Sequence, residues 1–447
     1  MGVRPLNRLF LDARPSDDPV ALNLAPAGAG VTVRTWGQFA AAAAWVEDRA
    51  RRDGGRRWLL ACPDAWDFAA GLFGLLLAER TVVLPPNFLP RTLQELGAGA
   101  DGTVTAAGVL PGAPRPRLLA GGRVEFWTGG STGEPRGFPR SLAQLDAEVA
   151  VLERYFGQRM PGGPVVGTVP HHHIYGCLFR ILWPLAAGRP FLVEPAGDPS
   201  GFRRALAQSR PTALVASPAH LSRLPDLLDL DRLPVPPGVV FSSGGPLAAP
   251  DAQAWHRWTP GGVVEIYGST ETGGIAWRCQ GPGPESLPWT PFDDVALAFP
   301  GGALEVTGFR AGPEPLRMAD GAEPAGQGRF RLLGRLDRII KLEEKRVSLP
   351  ELEKALEAVP WVARAAVAPL PGRRPVLGAV VVLRDGAPGQ RGIRVRALRD
   401  HLAQRFDGLA LPKRWRFPAE LPYDARGKLT VQALAALFQA PGTEVRP

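Results

Sequence analysis

Between Phe126 and Arg140 the chain reads FWTGGSTGEPRGFPR. Gly129, Gly130 and Gly133 are interleaved with the hydroxyls of Thr128, Ser131 and Thr132, and Glu134 and Arg136 follow closely. A loop this rich in glycine can turn several backbone N–H groups inward, and the hydroxyls add donors. That composition suits an anion, and phosphate above all. The bland alternative is a simple turn. A Walker A motif is excluded, because no GK[ST] sequence closes the loop.

Further polar–glycine stretches recur downstream, each after a strand-like apolar run. Val165–Val169 leads into Pro170-His171-His172-His173-Ile174-Tyr175-Gly176. Val239–Ser242 opens into Ser243-Gly244-Gly245-Pro246. Val263–Ile266 ends in Tyr267-Gly268-Ser269-Thr270-Glu271. Three adjacent imidazoles invite a zinc reading. They cannot all face one ion, however, and no Cys or carboxylate is spaced to complete a site. Taken alone, Glu271 reads more readily as a surface carboxylate; Lys428 reads as a solvated loop lysine only if its motif match is accidental.

These loops need elements to position them. Trp36–Arg51, Trp66–Ala78 and Ser141–Phe156 read as helices, and Arg57–Cys62, Thr81–Leu84 and Arg123–Trp127 as strands. Strand and helix alternate, which predicts an α/β fold with a doubly wound parallel sheet. Ligands in such sheets sit at the carboxyl ends of the strands, where the loops fall. A GxGxxG match at Gly97–Gly102 follows a helix and precedes a strand, the reverse of a dinucleotide site. After Trp277 the texture becomes Pro- and Gly-rich. After Gly334 it becomes a compact βα region, with helices at Leu349–Ala358 and Val395–Phe406. The expected domains are residues 1–336 and 337–447, meeting near Asp337.

Of the 447 residues, 45% are hydrophobic and 21% charged, as in ordinary soluble globular proteins. The net charge is +9. Arginines are spread along the chain, whereas Lys341, Lys345, Lys354, Lys413 and Lys428 all lie in its last quarter. No basic–aromatic module suggests nucleic-acid binding. The charge instead suits an acidic partner or a polyanionic nucleotide. Cys62, Cys177 and Cys279 are odd in number and far apart, which points to a reducing compartment. The start of the chain has no signal-peptide core. The longest apolar run, Phe68–Ala78, is too short to span a bilayer. A cytoplasmic protein without a membrane span is expected.

The glycine-rich loop, with four further motifs in order, resembles the adenylate-forming superfamily. This group includes AMP-dependent acyl-CoA synthetases, aryl-acid ligases and peptide-synthetase adenylation domains. Ser243–Leu247 is similar to its adenine-side loop, and Tyr267–Glu271 matches its YGxTE motif. Gly334-Arg335-Leu336-Asp337, Ile340-Lys341, Arg346-Val347 and Glu351-Leu352-Glu353 match its hinge segment. Arg426-Gly427-Lys428 matches its terminal GK loop. The short ligases of aryl-polyene pigment clusters are similar in length and motif style.

The resemblance implies a large N-terminal domain with doubly wound sheets and a small β-rich part, plus a small mobile C-terminal α+β lid. It implies that Thr128, Gly129, Gly130, Ser131, Thr132 and Gly133 hold the β- and γ-phosphates of ATP. Arg136 stands where the family has Lys, with the same charge but a different donor geometry. Gly244, Gly245, Tyr267, Gly268, Ser269 and Thr270 line the nucleotide side, and Glu271 ligates Mg²⁺. Asp320, in Met318-Ala319-Asp320, sits where the family has the Asp of a TGD motif. Asp320 and Arg335 would then contact the ribose. His173 lies by the acyl pocket and thiol tunnel. Lys428 is implied as the main catalytic residue, bridging the carboxylate and the α-phosphate. Where the family has a glycine after Ile340-Lys341, this chain has Glu344 beside Glu343. That departure keeps both CoA and the phosphopantetheine of an acyl carrier protein open as acceptor.

The expected function is ATP-dependent activation of an aryl or medium acyl acid to an acyl-adenylate, followed by transfer to a thiol. Gly244, Gly273 and Gly274 are expected to leave room in the acyl pocket, and no Asp sits at an amine-binding position. Two alternatives remain: an amino-acid adenylating enzyme, or a catalytically degenerate nucleotide-binding module. Lys428→Ala should lower pyrophosphate release by about 10²–10³ while sparing thioester formation from supplied acyl-adenylate. Equal loss in both half-reactions would remove Lys428 from this role.

Overall fold

The computed structural model describes residues 3–25, 30–109, 116–129, 135–160, 162–233, 235–280, 287–342, 345–370, 376–406, 408–423 and 429–439. The chain forms two compact units, residues 1–297 with 306–316 and residues 298–305 with 317–447. The division falls ahead of the expected 336/337 boundary, because residues 317–335 group with the C-terminal segment.

The first unit contains, in chain order, β1 (Pro19–Leu24), β2 (Val31–Thr35), β3 (Arg57–Leu60), β4 (Thr81–Leu84) and β5 (Gly102–Val104). They are followed by β6 (Arg123–Gly129), β7 (Pro135–Ser141), β8 (Val165–Gly167), β9 (Phe191–Leu192) and β10 (Ala213–Ala216). The last four are β11 (Val239–Ser242), β12 (Val263–Ser269), β13 (Gly273–Cys279) and β14 (Thr290–Pro291). One sheet has the order β5-β3-β4-β6-β7, the other β14-β13-β12-β11-β10-β8-β9-β1-β2. In the smaller sheet all pairs are parallel except the β6–β7 hairpin. In the larger sheet β8 to β12 run parallel, and the antiparallel pairs lie towards the two edges.

The sequence explains this layout. Runs such as Val82–Leu84, Ala213–Ala216 and Val239–Phe241 are continuously apolar and buried, as central parallel strands must be. The helices start where side chains can accept the free N–H groups of the first turn. Thr35 with Gln38 caps Trp36–Asp53, and Ser141 with Gln144 caps Leu142–Phe156. Ser141 is therefore the cap rather than the first helical residue. β7 was legible only as loop, since Pro135 and Pro139 interrupt it. It lies at the sheet edge, where a missing N–H costs no ladder bond. The GxGxxG match falls between helix Pro90–Gly97 and β5, in the reversed order noted above.

In the second unit, strands Val362–Leu370, Val376–Leu383 and Arg414–Arg416 form one sheet. Helices Leu349–Glu357 and Arg391–Ala403 bury Leu352, Leu356, Leu398 and Leu402 with Val367 on one face. Helix Val431–Gln439 places Leu434 and Phe438 with Ala366, Ala368 and Leu370 on the other. This alternation of neighbouring residues is the period of a two-sided strand. The unit holds 24 basic and 15 acidic residues, and the first unit 28 of each, so the chain's whole net charge of +9 belongs to the second unit. Among the described residues no helix is long and apolar enough to cross a membrane.

The loop after β8 joins the two sheets of the first unit. His171 Nε2 lies 3.0 Å from the Cys62 carbonyl just beyond β3, so Nε2 must carry the hydrogen of that bond. The His171 ring packs 4.6 Å from Phe68, and His172 packs 4.4 Å from Phe88. Burial pulls both imidazoles down to about 3, so both are neutral in the folded protein near neutral pH. Unfolded histidines titrate near 6.5, so this stability is present above that pH and is lost as the pH falls towards 3. Replacing one group by an uncharged ring, His172→Phe, should flatten the loss by up to about 1.4 kcal/mol per pH unit. Urea unfolding at about pH 7 and about pH 5 measures this. Equal losses in variant and parent would show that His172 is not held neutral.

Candidate active site

Parallel β8, β10, β11 and β12 deliver their carboxyl ends to one edge of the larger sheet, and their loops are tied together there. The Tyr175 hydroxyl donates to the Ala216 carbonyl at the end of β10 (3.3 Å). Ser242, the last residue of β11, is in register with Ala216. The Ser243 hydroxyl donates to the Ile266 carbonyl of β12 (2.8 Å). Gly244 has φ +91°, which favours glycine at this turn, and open space where a Cβ would stand. His173, Gly244, Gly245, Tyr267, Gly268 and Ser269 thus gather along one sheet edge. Three buried polar atoms near it, Thr168 Oγ1, His172 Nδ1 and Ser242 Oγ, have no hydrogen-bond partner among the described residues.

The glycine-rich loop is the turn of the β6–β7 hairpin. Thr128 stands opposite Arg136 and Gly129 opposite Pro135. Gly130, Ser131, Thr132 and Gly133 lie outside the described residues. Thr128 is half-buried, and Arg136 is exposed with its guanidinium 5.9 Å from the Phe138 ring centre. Thr128 and Arg136, on facing strands where the glycine-rich stretch joins them, supply a hydroxyl and a cation of the kind a polyphosphate takes.

Glu271 occupies the turn between β12 and β13. Inside the turn, Ser269 N donates to Thr272 Oγ1 (3.1 Å) and Thr272 N to Ser269 Oγ (3.3 Å). Beneath it lies a buried charge cluster. Arg140, on β7, donates from Nη1 to the Glu271 carbonyl (2.9 Å). Glu148, on helix Leu142–Phe156, accepts from Gly274 N (2.7 Å) and pairs with Arg310 Nη1 (3.0 Å). Arg310 also donates to the Gly274 carbonyl (2.7 Å) and forks onto Asp294 (2.5 and 2.6 Å). Arg140, Glu148 and Arg310 are each at most 2% exposed. The β6–β7 hairpin and the Glu271 turn are therefore one braced assembly.

This corrects one expectation. A Cβ on Gly273 would meet Glu148 Oε2 at 2.1 Å, and one on Gly274 would meet Glu148 Oε1 at 2.9 Å. Gly273 also has φ +71°. These two glycines make room for the Glu148 carboxylate, not for an acyl chain; Gly244 alone faces open space. Tyr267 is half-buried, with its ring 5.6 Å from that of Trp289. Thr270 and Glu271 are half-buried in the turn.

In the second unit, antiparallel pairing of strands Gly312–Pro324 and Phe330–Arg335 sets Asp320 opposite Arg335, so the two ribose candidates share a cross-strand position. Lys341 stands opposite Arg346 in the next hairpin. Lys428 lies outside the described residues, as do Glu343 and Glu344. Among the described residues no group of three or more His, Cys, Asp or Glu is arranged to hold a metal ion.

Motif reading passed over Arg140, Glu148 and Arg310. One signal was available: Glu148 lies on the stripe Leu145, Glu148, Val149, Leu152, Phe156, an acid on the buried face of a helix. Such an acid demands a cation nearby. Which arginine supplies it is a matter of tertiary approach.

An AMP-binding enzyme family model matches residues 124–308, and an AMP-binding enzyme C-terminal domain model matches residues 351–428. A 4-coumarate–CoA ligase of Rhodobacter capsulatus is 34% identical over 308 residues, covering 68% of this chain and 73% of that protein. A 4-chlorobenzoate–CoA ligase of a Pseudomonas species is 25% identical over 431 residues, covering 83% and 77%. The ATP-bound crystal structure of MatB from Rhodopseudomonas palustris shares the fold, with a TM-score of 0.78 at 19% identity over 98% of this chain and 99% of that one. The chain therefore belongs to the AMP-binding enzyme family, the adenylate-forming acid–thiol ligases.

Proposed function

We propose that the protein activates an aryl carboxylic acid with ATP and passes the acyl group to a thiol, with CoA as the first candidate acceptor. The observation that carries this reading is the bracing of the β6–β7 phosphate hairpin onto the Glu271 turn at the edge where the acyl-side loops meet. In the first half-reaction a carboxylate oxygen attacks the α-phosphorus, the α–β phosphoanhydride bond breaks, and pyrophosphate leaves. In the second, a deprotonated thiol attacks the acyl carbon and AMP leaves.

The hairpin donors, Thr128 and residues 129–133, hold the β- and γ-phosphates, with Arg136 adding charge at the rim. Glu271 offers a hard oxygen ligand, which suits Mg²⁺. When bound, the cation supplies charge neutralisation on the phosphates. Asp320 and Arg335 position the ribose, and Tyr267 flanks the adenine. Lys428 offsets the repulsion between the carboxylate and the α-phosphate. His173 borders the acyl pocket. The C-terminal segment turns about Asp337 between the half-reactions, withdrawing Lys428 and presenting the Lys341–Arg346 hairpin.

An aryl acid is supported by the two relatives above, which are named for 4-coumarate and 4-chlorobenzoate. It is also supported by the acyl-side loops, which carry His173 and Tyr175 and no Asp. The second unit's net charge of +9 favours an anionic acceptor, which describes CoA and equally an acidic carrier protein bearing phosphopantetheine. Cys62, Cys177 and Cys279 are free thiols, and we assign the protein to the cytoplasm, where ATP and CoA are supplied.

Pyrophosphate release should be greatest with para-substituted benzoates and cinnamates, lower with medium-chain acids and absent with amino acids. Silence with every acid, alongside nucleotide binding, would favour a binding module instead. The KM for the acceptor should rise several-fold between ~50 and ~300 mM salt, while that for the acid changes little. A salt-independent acceptor KM would remove the electrostatic role of the second unit.

A further inference from the structure

We propose that Arg140 is a positioning residue that transmits the placement of the phosphate hairpin to the Glu271 turn, and so sets how Glu271 meets a divalent cation. The inference rests on the reading of Glu271 as the ligand of that cation.

Arg140 is a costly residue to bury. Its side chain is 2% exposed, yet among the described residues it makes one hydrogen bond, from Nη1 to the Glu271 carbonyl. Its Nε and Nη2 have no hydrogen-bond partner among the described residues. Nη2 lies 3.7 Å from Glu148 Oε2, close enough for attraction but beyond a good hydrogen bond. Buried guanidinium donors left unmade are destabilising, so added stability does not account for burying Arg140 here. Glu148 meets Arg140 only at 3.7 Å and only through Oε2, which has no hydrogen-bond partner among the described residues. Its other oxygen already pairs with Arg310 at 3.0 Å and accepts from Gly274 N at 2.7 Å. Among the described residues, the one hydrogen bond that Arg140 makes is the one to the Glu271 backbone.

That bond is well placed to matter. β7 begins immediately after the phosphate loop and ends at Ser141, the cap of helix Leu142–Phe156. Arg140 is thus anchored in the strand that aims the loop, and it grips the residue whose carboxylate would hold the cation. Without this grip the turn keeps its internal Ser269–Thr272 bonds but loses its reference to the hairpin.

The test uses the full-length protein and the variants Arg140→Met, Arg140→Lys and Glu271→Gln. A fluorescent ATP analogue is titrated with and without Mg²⁺, thermal melting is followed, and thioester formation is measured from supplied acyl-adenylate. In Arg140→Met the Mg²⁺ concentration for half-maximal nucleotide binding should rise about tenfold. Metal-free nucleotide affinity and the thioester step should stay as in the parent. Arg140→Lys keeps the charge beside Glu148 and should fall between the two; it carries the test if the Met variant does not fold. Weakening of nucleotide binding to the same extent with and without Mg²⁺ would mark a merely structural role and overturn the proposal. An unchanged Mg²⁺ midpoint in both Arg140 variants, with a shifted one in Glu271→Gln, would also overturn it. An unchanged midpoint in Glu271→Gln would instead overturn the ligand reading, and the inference with it.

Discussion

Two arginines and a glutamate buried beneath one turn tie the Glu271 turn to the β6–β7 hairpin and the helix that follows it. Glu148 could not be buried alone, since an isolated carboxylate in an apolar interior is too costly to keep charged. Arg310 compensates it, and Asp294 compensates Arg310 in turn. Arg140 shares the cluster and reaches the Glu271 backbone. Buried charges of this kind add little net stability. What they impose is geometry, because each group has few positions in which its partners are all within reach.

The rest of the unit follows from that constraint. Helix Leu142–Phe156 carries Glu148, so its Ser141 cap and its apolar stripe are placed by the same pairings. Gly273 and Gly274 are glycines because the carboxylate occupies the space where their side chains would be. The hairpin of β6 and β7 cannot shift without pulling on the Glu271 turn. On the opposite flank, the neutral His171 and His172 seal the loop after β8 onto the ends of β3 and β4. The sheet edge between these two joints carries the loops that follow β8, β10, β11 and β12. The charge of the chain is segregated from this assembly: the first unit is balanced, and the excess of basic residues lies in the second.

Much of this was legible in the sequence because it is local. The central parallel strands announce themselves as short apolar runs. The motifs were legible because glycine, hydroxyl and carboxylate residues at fixed spacing have few other uses. Strands β7 and β13 escaped notice because prolines and a glycine pair disguise them. An edge strand tolerates the prolines, and a hairpin turn over a carboxylate requires the glycines. In the sequence Gly273 and Gly274 read as pocket space, since a sequence does not say which side chain occupies the gap a glycine leaves.

By itself the sequence determined the alternating α/β character, the order of the nucleotide-binding motifs and the family to which they belong, since each depends on residue type and spacing along the chain. Tertiary structure alone decided that Arg140, 131 residues before Glu271, braces its turn, that Glu148 finds Arg310, and that Asp320 faces Arg335 across two strands. These pairings are long-range. The buried-charge penalty requires that a partner exist but does not name it, and only the packing of the sheets brings one within hydrogen-bond distance.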